Sequence, residues 1–165
     1  MTVRNSYKED KKMGKILVIG SGLSGISAAE LLVRANERPV LFDSNGKLTA
    51  EEIRKKLPDN AAVDIYTGVL PSEVSEQIEM LVLSPGVPID SALVNEFHKR
   101  GVKISGEIEL AYTYEKGRLL AVTGTNGKTT TTALLGAIMQ DYFETVFVVG
   151  NIGILPADFG KVQNP

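Results

Sequence analysis

The chain has 165 residues, 43% hydrophobic and 23% charged, with a formal net charge of −2, one histidine and no cysteine. That length allows one to two small domains, and the near-neutral, slightly acidic balance argues against a nucleic-acid binder. The missing cysteines exclude disulfides and thiolate metal sites, and no segment approaches the ~20 apolar residues of a membrane span.

In chain order, residues 1–13 are polar, carry Arg4, Lys8, Glu9, Asp10, Lys11 and Lys12, and read as a disordered leader. Residues 15–19 form a short apolar run ending at Gly20, as a strand buried on both faces does. Residues 23–35 place Ile26, Ala29, Leu32 and Val33 at helical spacing. A second strand is expected at 39–43. Thr49 with Glu52 is a capping-box signature for a short helix reaching Leu57 before Pro58. A third strand is expected at 61–66, a short helix near Pro71, a fourth strand at 80–83, a helix at 90–100 stopped by Gly101, a fifth strand at 102–105 and a helix at 108–115. The polar, glycine-bearing stretch 114–118 reads as a linker. The pattern then restarts with a strand at 119–122, a helix at 128–140 and a strand at 145–149. Alternating strands and helices predict an α/β fold: a Rossmann-like parallel-sheet domain over 14–114, then the start of a P-loop α/β domain over 115–165. A strand-helix-strand unit cannot cover its own sheet, so the second domain is expected to be incomplete.

Two glycine loops carry the chemistry. The second, Gly124-Thr125-Asn126-Gly127-Lys128-Thr129-Thr130, joins an expected strand to an expected helix. Backbone N–H groups there can cradle a nucleotide's phosphates, with Lys128 reaching the β- and γ-phosphates and Thr129 presenting a hydroxyl to Mg²⁺. The general pattern asks for glycine at 122, where this chain has Val122, so the loop is the shorter G-x-x-G-K-T form. Four threonines opening a helix are poor helix formers, which marks Thr129 and Thr130 as functional.

The first loop, Gly20-Ser21-Gly22-Leu23-Ser24-Gly25, follows a strand, opens a helix and has Asp43 at the end of the second strand. Those are the parts of a dinucleotide fingerprint, which leaves an NAD- or FAD-dependent oxidoreductase open as a reading. The glycines also fit a tight turn that only lets helix and strand pack closely. His98 reads as a solvated helix-end cation, and Glu107 and Glu109 as helix N-terminal charges, not as acids, bases or metal ligands.

The segment Thr123-Gly-Thr-Asn-Gly-Lys-Thr129 resembles the ATP loop of the Mur ligases, a family that includes the folylpolyglutamate synthetases, and Val149-Gly-Asn-Ile-Gly153 resembles a second motif of that family. The first loop, Asp43-Ser44, Ser84-Pro-Gly-Val-Pro88 and Gly106-Glu-Ile-Glu-Leu110 resemble its D-glutamate-adding branch. The resemblance implies a Rossmann-like first domain that binds a UDP-sugar. Ser21, Gly22, Leu23, Ser24, Asp43, Ser44, Ser84, Pro85 and Gly86 would hold the uridine and diphosphate, and Asn151 would lie near the phosphates or sugar.

It further implies ATP and Mg²⁺, with Lys128 as the catalytic residue. The reaction would join D-glutamate to UDP-N-acetylmuramoyl-L-alanine through an acyl phosphate, in a bacterial cytoplasmic monomer that makes peptidoglycan. Another Mur ligase, a folylpolyglutamate synthetase relative or a non-catalytic nucleotide-binding module stay open beside it. The family's later magnesium ligands, modified lysine and amino-acid-binding domain have no counterpart in these residues, so ligand binding without ligation is expected of this chain alone.

Overall fold

Ile16 to Ile19 on the first strand and Val40 to Phe42 on the second are buried without a break. Such continuous apolar runs suit strands with cover on both faces. In the computed structural model, which describes residues 14–150, they become β1 (Lys15–Ile19) and β2 (Pro39–Asp43) of one parallel sheet. The remaining strands are β3 (Asp64–Thr67), β4 (Ile78–Leu83) and β5 (Lys103–Gly106). All neighbours pair in parallel, in the order β3-β2-β1-β4-β5. The chain order thus reverses between β1 and β4, at the centre of the sheet.

The helices are α1 (Leu23–Arg34), α2 (Ala50–Arg54), α3 (Ser72–Ser75), α4 (Ala92–Lys99), α5 (Glu107–Tyr114) and α6 (Lys128–Gln140). On one face of the sheet, Ile16, Val18, Leu41 and Val82 pack with residues of α1, with Ile53 of α2 and with Leu110 and Ala111 of α5. On the other, Leu17, Ile19, Phe42 and Leu81 pack with Val74 of α3 and with Val94 and Phe97 of α4. The period-2 alternation of side chains along β1 and β2 divides them between these two layers.

The expected five strands and their intervening helices are present, with ends displaced by a few residues. The capping box forms in full: Thr49 Oγ1 accepts from the Glu52 N–H at 3.2 Å, and Glu52 Oε2 accepts from the Thr49 N–H at 2.8 Å. Gly101, at φ +73°, follows α4 as a left-handed stop.

The strands expected at 119–122 and 145–149 are not formed, although α6 is. A strand is defined by its ladder, and among the described residues neither segment finds a neighbour to pair with. The expected leader, 1–13, lies outside the described residues.

Candidate functional site

The C-terminal ends of β1 and β4 bound the crevice where the strand order reverses, the usual ligand position in an open α/β sheet. Two hydrogen bonds continue the ladder past the strands and fix the loops there: Gly20 N–H to Phe42 O at 2.8 Å and Ser84 N–H to Ile19 O at 3.2 Å. Gly20 takes φ +101°. A Cβ on Gly25 would fall onto the Gly20 carbonyl oxygen, so only glycine lets α1 start this close to β1. Gly22 differs. Its φ is −70°, and a Cβ there would meet no atom within 4 Å.

Gly22 caps α1 without a side-chain hydrogen bond, and the first turn of α1 carries no acid. The open N–H groups and the helix dipole therefore face the crevice with no acid of α1 itself to offset them, as suits an anion site. Asp43 braces the loop from β2. Its Oδ2 accepts from the Ser21 N–H at 2.9 Å and from the Ser21 hydroxyl at 2.6 Å, while Oδ1 accepts from the Asn45 N–H at 2.9 Å. Burial alone would raise the Asp43 carboxyl, but the Ser21 hydroxyl, the Asn45 and Ser21 amides and the Lys56 charge outweigh it and hold it below the ordinary value. Ser21 is buried, and its hydroxyl is spent on this bond. Asp43 Oδ1 keeps an unused lone pair.

Of the residues expected from the sequence, the fold brings Ser21, Gly22, Leu23, Ser24, Asp43, Ser44, Ser84, Pro85 and Gly86 to this one edge, at the ends of β1, β2 and β4. Leu23, Ser44, Pro85 and Gly86 are exposed there, whereas Ser84 is buried. Asn151 lies outside the described residues.

Glu107 joins them. It opens α5 directly after β5, and its carboxyl lies against the Ser24 and Ser84 hydroxyls. Burial pushes it above the ordinary carboxylate value, and the two hydroxyls oppose the shift. In the sequence Glu107 looks like any helix N-terminal charge; the signal that could have singled it out is its place at the C-terminal end of a sheet strand.

The second loop turns through Gly124 at φ +145° and Gly127 at φ +76°. Gly127 caps α6, again with no side-chain cap and no acid in the first turn. Lys128 folds back over the loop and donates to the carbonyl oxygens of Gly124 and Thr125, the latter at 3.1 Å. Thr125, Asn126, Thr129 and Thr130 are exposed, and Thr132 is tied to the Lys128 carbonyl at 2.8 Å. The two glycine loops thus share one design: a left-handed glycine turn feeding an uncapped, acid-free helix start.

His98 sits in the last turn of α4, as expected. Among the described residues no three His, Cys, Asp or Glu side chains converge on a point where they could hold a metal ion. No helix among them is long and apolar enough to cross a membrane.

Comparison with known proteins gives two family matches: the Mur ligase MurD-like N-terminal domain over residues 14–106 and the Mur ligase middle domain over 122–163. A UDP-N-acetylmuramoylalanine--D-glutamate ligase of Lachnoclostridium phytofermentans is 51% identical over 140 residues, covering 85% of this chain and 31% of the relative. The protein of the same name from Lachnospira eligens is 49% identical over 144 residues, covering 87% of this chain and 32% of the relative. The chain therefore spans about a third of the length of the curated relatives it matches. A pseudomurein peptide ligase type C from Methanothermus fervidus shares the fold, with a TM-score of 0.50 at 21% identity over 78% of this chain and 26% of that structure.

Proposed function

The chain belongs to the Mur ligase family, with a MurD-like N-terminal domain, and from that premise we propose that it supplies two ligand sites of a ligase that joins D-glutamate to UDP-N-acetylmuramoyl-L-alanine. The observation that carries this reading is the pair of glycine turns, each feeding a helix start with free N–H groups and no acid. Two separate anion sites in one chain suit an enzyme that spends one phosphorylated compound to activate another. A dinucleotide oxidoreductase would leave the second loop without a use.

In this reading residues 14–114 hold the UDP-sugar. The α1 N-terminus receives the diphosphate, and Asp43 Oδ1, Ser44 and the 84–86 turn face the uridine. Asn151 completes the site from the second unit, which starts at residue 115. ATP lies in the loop 124–130, its phosphates on the N–H groups of that turn. Lys128 leaves its two carbonyl partners and places its ammonium on the β- and γ-phosphates.

Magnesium fits as a partner of the Thr129 hydroxyl together with the nucleotide's own phosphates, since Mg²⁺ needs few protein ligands and no carboxylate cluster is present among the described residues. When bound, it neutralises charge on the transferring phosphoryl group. The substrate carboxylate attacks the γ-phosphorus, giving an acyl phosphate and ADP. The amine of D-glutamate then attacks the acyl carbon, and phosphate leaves as the amide forms. This chain alone binds both ligands without completing the reaction, and the whole enzyme works as a monomer in the bacterial cytoplasm.

Calorimetric titration of the 165-residue chain tests the assignment. UDP-N-acetylmuramoyl-L-alanine and Mg-ATP are expected to bind independently. Lys128→Ala is expected to weaken ATP by about 10–100-fold, the loss of a hydrogen bond to a charged group, and to leave the UDP-sugar untouched. Binding of NADH in preference to the UDP-sugar would sink the reading.

A further inference from the structure

Three elements each send one polar side chain to the same point of the crevice: Ser24 from the start of α1, Ser84 from the end of β4 and Glu107 from the start of α5. Ser84 is 8% exposed. Its Oγ is hemmed in by the first loop, since a Cβ on Gly20 or Gly25 would lie 3.2 or 3.0 Å from it. Yet Ser84 Oγ makes no hydrogen bond of sound geometry, and neither does the buried Glu107 Oε1. Two unsatisfied polar atoms buried side by side are an expensive arrangement, and they lie beside the α1 N-terminus.

An ionised carboxylate only accepts hydrogen bonds, so while Glu107 is charged both serine hydroxyls turn their protons toward it. A diphosphate in the crevice also only accepts. It competes for the Ser24 hydroxyl, the partly exposed donor of the two, and its charge lies close to that of Glu107. Like charges confined together force the weaker acid to neutralise. We propose that Glu107 takes up one proton when the diphosphate ligand binds, releasing the Ser24 hydroxyl to donate to the ligand. The protonated carboxyl then becomes a donor, and the buried Ser84 Oγ can accept from it. Glu107 is thus a positioning residue for the loop's donors. The inference rests on the UDP-sugar reading of this crevice and adds its proton balance.

The other charged groups near α5 do not supply that proton or shield it. The elements packed against α5 carry Glu30 and Arg34 on α1, Glu79 on β4 and Lys103 on β5. Glu30 pairs with Arg34 at 3.2 Å, and Glu79 accepts from the Gly14 N–H at the opposite end of the sheet. On α5 itself, Glu109 accepts from the Ser105 hydroxyl at 2.9 Å, and Tyr114 donates to Glu37 at 3.2 Å. What acts on Glu107 is burial and the two hydroxyls.

The test is titration of the full chain with UDP-N-acetylmuramoyl-L-alanine, whose own charge is constant between about pH 5 and 8. Runs in two buffers of different ionisation enthalpy count the protons exchanged. The wild type is expected to take up a proton, and its affinity to fall toward about tenfold per pH unit once free Glu107 is ionised. Glu107→Gln, close in shape, is expected to bind with no such uptake and a flat profile. His98 remains in that variant, so any uptake from the histidine would survive there. Proton uptake that is absent in the wild type, or unchanged in Glu107→Gln, overturns the proposal while leaving the UDP-sugar site standing. No binding of the UDP-sugar at any pH overturns both.

Discussion

Gly22 and Gly25 stand three positions apart in one loop, and the fold asks different things of them. Gly25 is required by the protein itself, because any side chain there strikes the Gly20 carbonyl. Gly22 has an ordinary φ and open space around it, so nothing internal requires it. Gly25→Ala is therefore expected to destabilise by about 3 kcal/mol or more, the upper range for overpacking. Gly22→Ala should stay within about 0.5 kcal/mol of wild type and, on the proposed reading, weaken UDP-sugar binding, since a methyl there would stand where that ligand approaches the backbone. Urea unfolding of the two variants checks this, and equal costs would refute it. The spacing of these glycines and Asp43 was readable in the sequence because all of them sit at the junctions of strands with the segments that follow. Glu107 was not, because burial of its carboxyl depends on Ser24 and Ser84, which lie 83 and 23 residues away in the chain. Asp43 shows an intermediate case: its place at the end of β2 was legible, but not that its Oδ2 serves Ser21.

At the scale of elements, legibility followed how local the determinants are. The short α2 was announced by Thr49 and Glu52, and both reciprocal bonds are formed. Since that helix has five residues, its cap is a large share of what holds it. Thr49→Ala is expected to cost about 1 kcal/mol, seen as a lower denaturation midpoint with an unchanged slope. An unchanged midpoint would mean that Ile53, buried in the core, holds the helix without its cap. β5 was read one residue early, and β4 two residues late. Edge and turn positions there depend on which neighbour they pair with, and a single sequence does not show neighbours. The same cause accounts for the strands expected at 119–122 and 145–149: their apolar runs were real, but a ladder needs a second strand. α6 needs none, because its hydrogen bonds are internal, and it spans the expected residues.

Across the whole molecule, apolar residues are distributed unevenly. Among the described residues, both core layers draw on residues between Ile16 and Tyr114. Beyond residue 118, Leu120, Leu134, Ile138, Tyr142 and Phe143 are exposed, Tyr142 at 79%. Gly136 alone is buried on α6, against Val148. A chain ending at Glu115 is therefore expected to unfold within about 5 °C of the full chain and to lose most binding of an apolar dye. A larger drop in midpoint would show that residues 116–165 support the sheet. The sheet also ends well. β3 and β5, its two outer strands, are four residues long and begin with Asp64 and Lys103, which are exposed. Opposite charges at the two rims and so short a run of free backbone groups give a second sheet little to extend from. If this chain self-associates in solution, the growth will therefore be amorphous clustering through the exposed apolar residues beyond 118, and fibres built by strand addition are not the expected form.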